Sequence, residues 1–124
     1  MASLTKSFED YLEAIYLLEQ EKGAVRVKDV AKSLDVKLPS VTEAVRKMSK
    51  AQLVEFERYG LIKLTEQGKV FAKGVYKKHE VLFEFLHNIL GVDKATAMKD
   101  ACEIEHSLSN TTLKKLKQFM KKWR

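Results

Sequence analysis

Apolar and polar positions along the chain follow two periods, one near 3.6 residues and one of two, and their order lays out the architecture. Phe8, Tyr11, Leu12, Ile15 and Leu18 recur three and four apart, which predicts an amphipathic helix over about 6–22, closed near Gly23. Asp10 and Glu13, also three apart, lie off that stripe. The stretch 27–34 predicts a short helix with Val30, Ala31 and Leu34 inward, and 35–38 a tight connection. A second helix follows from Pro39. Its apolar stripe is Val41, Ala44, Val45 and Met48, while Pro39, Ser40, Thr42, Glu43, Arg46, Lys47 and Lys50 face outward. Proline suits a first helical position because its missing N–H has no partner there in any case. Ser40 and Glu43 have capping-box spacing, which allows a start one residue later.

The period then changes. Residues 53–58 and 61–65 alternate apolar with charged side chains around Arg58-Tyr59-Gly60, the pattern of a β-hairpin. Two short helices joined by four residues, followed by a hairpin, predict a winged helix-turn-helix. Thr65 can cap a long helix through Val70, Phe71, Val75, Leu82, Phe85 and Leu86 to about Ile89, stopped by Gly91. Another helix is expected over about 94–108, and a last amphipathic one carries Leu113, Leu116, Met120 and Trp123 on one side. The fold class is therefore mainly α: an N-terminal winged helix-turn-helix of three helices plus a β-hairpin wing in 1–73, followed by an α-helical domain in 74–124.

Candidate chemistry sits in the helix expected over 94–108. Cys102, Glu105 and His106 stand at i, i+3 and i+4, so on a helix a thiol, a carboxylate and an imidazole share one face, a metal-binding pattern. Ala101, Ile104 and Leu108 fall on another face and can anchor the helix in a core.

Charge sharpens the picture. The net charge of +6 is uneven: residues 1–21 carry one lysine against five acids, 22–80 fourteen basic residues against seven acids, and 81–124 eight against five. A basic middle flanked by an acidic start suggests a polyanion partner for the first and a cation for the second. At 124 residues the chain can bury about two-thirds of its unfolded surface. One cysteine allows no internal disulfide, and no signal-like segment opens the chain, so a cytoplasmic protein is expected. The longest apolar tract, 81–92, is interrupted by Glu84 and His87 and falls short of the ~20 residues of a membrane helix, so no membrane partner is expected.

Phe8-Glu-Asp-Tyr-Leu-Glu-Ala-Ile-Tyr16, Pro39-Ser-Val-Thr42, Leu64-Thr-Glu-Gln-Gly68, His79 and Cys102-Glu-Ile-Glu-His-Ser-Leu-Ser109 together resemble the iron- and manganese-dependent repressors, the diphtheria-toxin-repressor-like family. The resemblance spans almost the whole chain. It implies an N-terminal winged helix, a helical dimerisation domain making a homodimer, and a metal site whose occupation permits binding to an operator in double-stranded DNA. Asp10, Glu13, His79, Glu105 and His106 match ligands of the manganese-responsive branch, where Cys102 replaces a glutamate. In the iron-responsive branch Cys102, Glu105 and His106 match, but Asp10 replaces a methionine, and Phe83 and Met98 stand at second-site positions. The expected ligand set is Asp10, Glu13, His79, Cys102, Glu105 and His106. Three carboxylates and one thiolate can neutralise two divalent cations, so a binuclear site is compatible with them. Carboxylates suit Mn²⁺ or Fe²⁺, while thiolate draws toward Fe²⁺, Co²⁺ or Zn²⁺.

On DNA, Ser40, Thr42, Glu43 and Arg46, beside Pro39, can reach base edges or nearby backbone, Lys37, Lys47 and Lys50 can meet phosphates, and Arg58 at the hairpin tip can reach a minor groove. The resemblance further implies that the homodimer reads a palindromic operator in the control of metal-ion homeostasis. Two other readings use the same residues. A winged helix could answer to a non-metal effector, with the triplet structural. Cys102 and His106 could form a nucleophile–base pair, but no glycine-rich oxyanion loop accompanies them, which argues against an enzyme.

Overall fold

The structure, a computed structural model, describes residues 6–123; the opening residues considered above for a signal segment lie largely outside that range. The chain divides after Lys73 into two compact units.

In the first unit, α1 (Lys6–Lys22) ends at Gly23, whose φ of +83° suits a residue without a Cβ. α2 (Val27–Leu34) and α3 (Leu38–Lys50) form the helix-turn-helix, turned by Asp35 in the left-handed region at φ 54°. α3 begins one residue earlier than the proline pattern predicted. Lys37 is its N-cap, Leu38 its first helical residue, and Pro39 its second, so the Ser40–Glu43 capping box does not form. Proline costs nothing at the second position either, since the first four N–H groups of a helix lack intrahelical acceptors.

The wing is a three-stranded antiparallel sheet rather than a hairpin alone. β1 (Val25–Arg26), β2 (Val54–Phe56) and β3 (Leu61–Leu64) lie in the order β1-β3-β2. Val25 pairs with Ile62, and Val54, Glu55 and Phe56 pair with Leu64, Lys63 and Ile62. Val54, Ile62 and Leu64 point into the core while Glu55 and Lys63 face each other outside, as two-residue alternation requires. The unit's core joins Leu12 and Ile15 of α1, Val30 of α2, Val41, Val45 and Met48 of α3, and the inward wing residues with Leu53. Each such side chain contributes roughly 1.5–3 kcal/mol on burial.

α4 (Glu66–Glu84) opens on a threonine cap: Thr65 Oγ1 accepts from the N–H of Gly68 at 3.0 Å and donates to the carbonyl of Gln52 at 2.7 Å. Its continuation differs from the single helix expected to Ile89, because Phe85–Ile89 widen into a π-helical turn before Gly91 at φ +79°. The Nδ1–H of His87 donates to the carbonyl of Val92 at 2.8 Å there, and its ring stacks on Phe83. In the second unit, α5 (Lys94–Ile104) is capped by Asp93, which accepts from the N–H of Thr96, and α6 (Asn110–Trp123) by Ser109, which accepts from the N–H of Thr112. Val75, Leu82, Ala97, Ala101, Leu113 and Met120 are its buried apolar residues. One expectation fails here: α5 stops at Ile104 rather than 108, leaving Ile104 exposed and Leu108 beyond the helix. Leu113, Leu116, Met120 and Trp123 all lie on α6 as expected, with Trp123 exposed at its end. No helix among the described residues is long and apolar enough to cross a membrane.

Candidate metal centre and DNA-facing surface

α4, α5 and the turn that follows α5 carry four of the six expected ligands within the second unit. Ala97 and Ala101, both 0% exposed, form the buried face of α5, and Cys102 follows on its edge, half-buried. Glu105 is the C-cap of α5 but keeps helical angles (φ −56°, ψ −32°), so it still stands above Cys102 as the i, i+3 spacing predicts. His106 lies in the turn beyond the helix, not on it as expected.

Glu105 is the centre of the cluster. It is 1% exposed, and neither carboxylate oxygen has a hydrogen bond among the described residues. Oε2 lies 3.4 Å from His79 Nδ1 and Oε1 lies 3.6 Å from His106 Nε2. The donor atoms of Cys102, Glu105 and His106 fall within 4.8 Å of one another, and those of His79 and Glu105 do likewise. A buried carboxylate without hydrogen bonds is strongly disfavoured unless a positive charge compensates it. Here the carboxylate also sits at the negative end of the α5 dipole, which adds to the demand for a cation. Thiol, imidazole and carboxylate are all first-row metal donors. The residues fit a divalent metal ion.

Asp10 and Glu13 belong to the first unit. They lie three apart on α1, both half-buried, beside the buried Leu12 and Ile15 rather than among them.

The DNA-facing candidates are also in the first unit. On α3 the side chains of Pro39, Ser40, Glu43, Arg46, Lys47 and Lys50 are exposed, as is Lys37 at the N-cap, whereas Thr42 is half-buried. Leu38, Pro39, Thr42, Glu43 and Arg46 line a shallow concavity of about 440 Å³. Lys47 pairs with Glu43 one turn away at 3.4 Å. Arg58 is exposed at the tip of the wing. At that tip Arg26 Nη1 donates to the carbonyl of Tyr59 at 2.8 Å, a contact across 33 residues that the sequence does not signal.

The iron dependent repressor N-terminal DNA-binding domain matches residues 3–62, and the iron dependent repressor metal binding and dimerisation domain matches residues 65–124. The chain belongs to the iron-dependent repressor family. It is thereby placed among metal-dependent, DNA-binding transcriptional regulators that carry a dimerisation domain. Proteins similar to it include an uncharacterised HTH-type transcriptional regulator of Methanocaldococcus jannaschii, 39% identical over 98% of both chains. The regulator MntR of Bacillus subtilis is 44% identical over 85% of this chain and 73% of its own length. Among solved structures, the manganese regulator SloR superposes with a TM-score of 0.82 at 30% identity over 95% of this chain. The present chain spans only 55% of that protein's length.

Proposed function

We propose that this iron-dependent repressor family member is a homodimer that represses metal-homeostasis genes in the cytoplasm. Asp10, Glu13, His79, Cys102, Glu105 and His106 bind Mn²⁺ or Fe²⁺, with Co²⁺ and Zn²⁺ as competitors. One observation carries the reading: the buried Glu105 carboxylate, without hydrogen bonds, flanked by two imidazoles at the negative end of a helix. Asp10 and Glu13 supply the further hard oxygen donors that divalent manganese and iron favour. Four anionic donors balance two divalent ions per subunit. The ion contributes charge neutralisation when bound. In its absence like charges in the ligand set repel one another. Drawing those side chains onto a shared positive charge fixes how far apart the two α3 helices of a dimer stand, and a palindromic operator rewards one spacing. Couplings of this kind amount to about 1–3 kcal/mol, or 5–150-fold in affinity.

The deciding experiment measures binding to duplex DNA against a panel of divalent ions at buffered free concentration, with calorimetry for stoichiometry. Binding that appears with Mn²⁺ or Fe²⁺ and vanishes with chelator is expected. Chelator-insensitive binding would overturn the metal switch, and saturation at one ion per chain would overturn the binuclear site.

A further inference from the structure

Tyr59 is the most exposed of the large hydrophobic residues described, 86% accessible at the tip of the wing, and its backbone is left-handed (φ 67°, ψ 18°). Glycine or asparagine would occupy such a position without strain, whereas a bulky side chain there is unfavourable and is kept where surrounding structure over-determines it. The surrounding structure is a polar relay. Lys22 Nζ donates to Asp29 Oδ1 at 2.8 Å, Asp29 Oδ2 accepts from the N–H of Arg26 at 2.8 Å, and Arg26 Nη1 donates to the carbonyl of Tyr59 at 2.8 Å. The relay runs from the end of α1, through the start of α2, to the tip of the wing. It holds the peptide of Tyr59, not its ring, which stays in solvent beside Arg58. A strained backbone latched from behind, with an amphipathic ring left outside, is the arrangement of a contact residue waiting for a partner. Arg26 and Arg58 lie beside Tyr59, with Glu57 two residues before it, and the matched DNA-binding domain reaches residue 62, within β3 of the wing.

We propose that Tyr59 contacts the sugar–phosphate edge of the minor groove in duplex DNA, and that Arg26 is the positioning residue that holds it there. This rests on the DNA-binding reading above. The phenol reaches a phosphate oxygen or deoxyribose, so it releases no counterion, and in its positioning role Arg26 donates through Nη1 to the Tyr59 carbonyl rather than to a phosphate.

The test uses the full chain with saturating MnCl₂ and the duplex that the wild-type protein enriches from a random-sequence library. Tyr59→Gly relieves the left-handed strain, so its melting temperature should equal or exceed that of wild type while its affinity for the duplex falls about tenfold. Tyr59→Asn, which also tolerates this backbone, should do the same. Arg26→Met should weaken binding with no change in the slope of log affinity against log salt, and should add nothing in the Tyr59→Gly background. Wild-type affinity in both Tyr59 variants would overturn the contact. A shallower salt slope or full additivity in Arg26→Met would overturn its positioning role. Failure of wild type to enrich any duplex would overturn the DNA-binding reading itself.

Discussion

Two glycines in α4 show how one absent methyl group can have opposite effects. A Cβ at Gly68 would overlap the carbonyl oxygen of Leu53, which already accepts from the N–H of Thr65 at 3.1 Å and cannot yield without losing that bond. At Gly74 a Cβ would meet nothing within 4 Å. Gly68→Ala should therefore destabilise the protein by about 1–3 kcal/mol as overpacking against backbone. Gly74→Ala should stabilise it by about 0.5–1 kcal/mol through helix propensity. Denaturant unfolding of the two variants, read by circular dichroism, checks both signs. The motif Leu64-Thr-Glu-Gln-Gly68 was legible as a family signature, but its physical basis was not. Glycine is needed because α4 starts against the residue that leads into β2, a contact between positions fifteen apart.

Glu105 separates stability from function at the same scale. As a buried carboxylate it is a liability in the metal-free protein and an asset once a cation is bound. Glu105→Gln keeps the shape and removes the charge. Its melting temperature in chelator should match or exceed that of wild type. The stabilisation by metal, about 2.7 kcal/mol for wild type at free ion a hundredfold above Kd, should be lost. Thermal melts with and without MnCl₂ read both arms, and a full metal-induced shift in the variant would remove Glu105 from the ligand set.

At the scale of elements, the long periodic helices were readable and the short or compound ones were not. α1 and α2 follow from apolar spacing alone because each presents one continuous stripe. β1 has two residues, too few to show alternation, and exists only because Leu61 and Ile62 pair with it from across the unit. α5 ends early because the chain tightens after Glu105: the Glu105 N–H still bonds the carbonyl of Ala101, but the Ser107 N–H bonds that of Ile104, three residues back, a local turn that apolar spacing does not signal. Its start has a local cause in the Asp93 cap. The other polar start, that of α2, makes a measurable prediction. Lys22 and then the Arg26 N–H hold the Asp29 carboxyl below its ordinary value of 3.8. Because the folded value is depressed, the associated stability is complete above 3.8 and is lost as pH falls through the lowered folded value. Asp29→Ala should cost about 1 kcal/mol near neutrality, as lost caps do. The gap from wild type should close below about pH 3.8 in urea titrations across pH. A gap that persists at lower pH would show that packing, not the charged contact, accounts for it.

At the scale of the whole molecule, symmetry doubles each residue's contribution, and this makes the proposed dimer measurable without a structure of the complex. Neutralising a phosphate releases counterions, so log affinity falls with log salt by about 0.9 for each phosphate contact. Lys50 lies at the exposed end of α3, placed for phosphate rather than base contact. In a monomer on DNA, Lys50→Ala would make the salt slope shallower by about 0.9, but in a homodimer seated on two half-sites the same substitution removes two contacts and the change is about 1.8. Asp10→Ala gives the complementary control. It lies on α1, outside both the core and the α3 surface, so the variant should remain folded and dimeric by sedimentation. With or without Mn²⁺ it should show only the weak affinity that wild type shows in chelator. If Lys50→Ala shifts the slope by one contact only, the symmetric two-headed arrangement is wrong even where the metal switch is right. If Asp10→Ala keeps its metal response, Asp10 takes no part in sensing and the remaining ligands suffice without it.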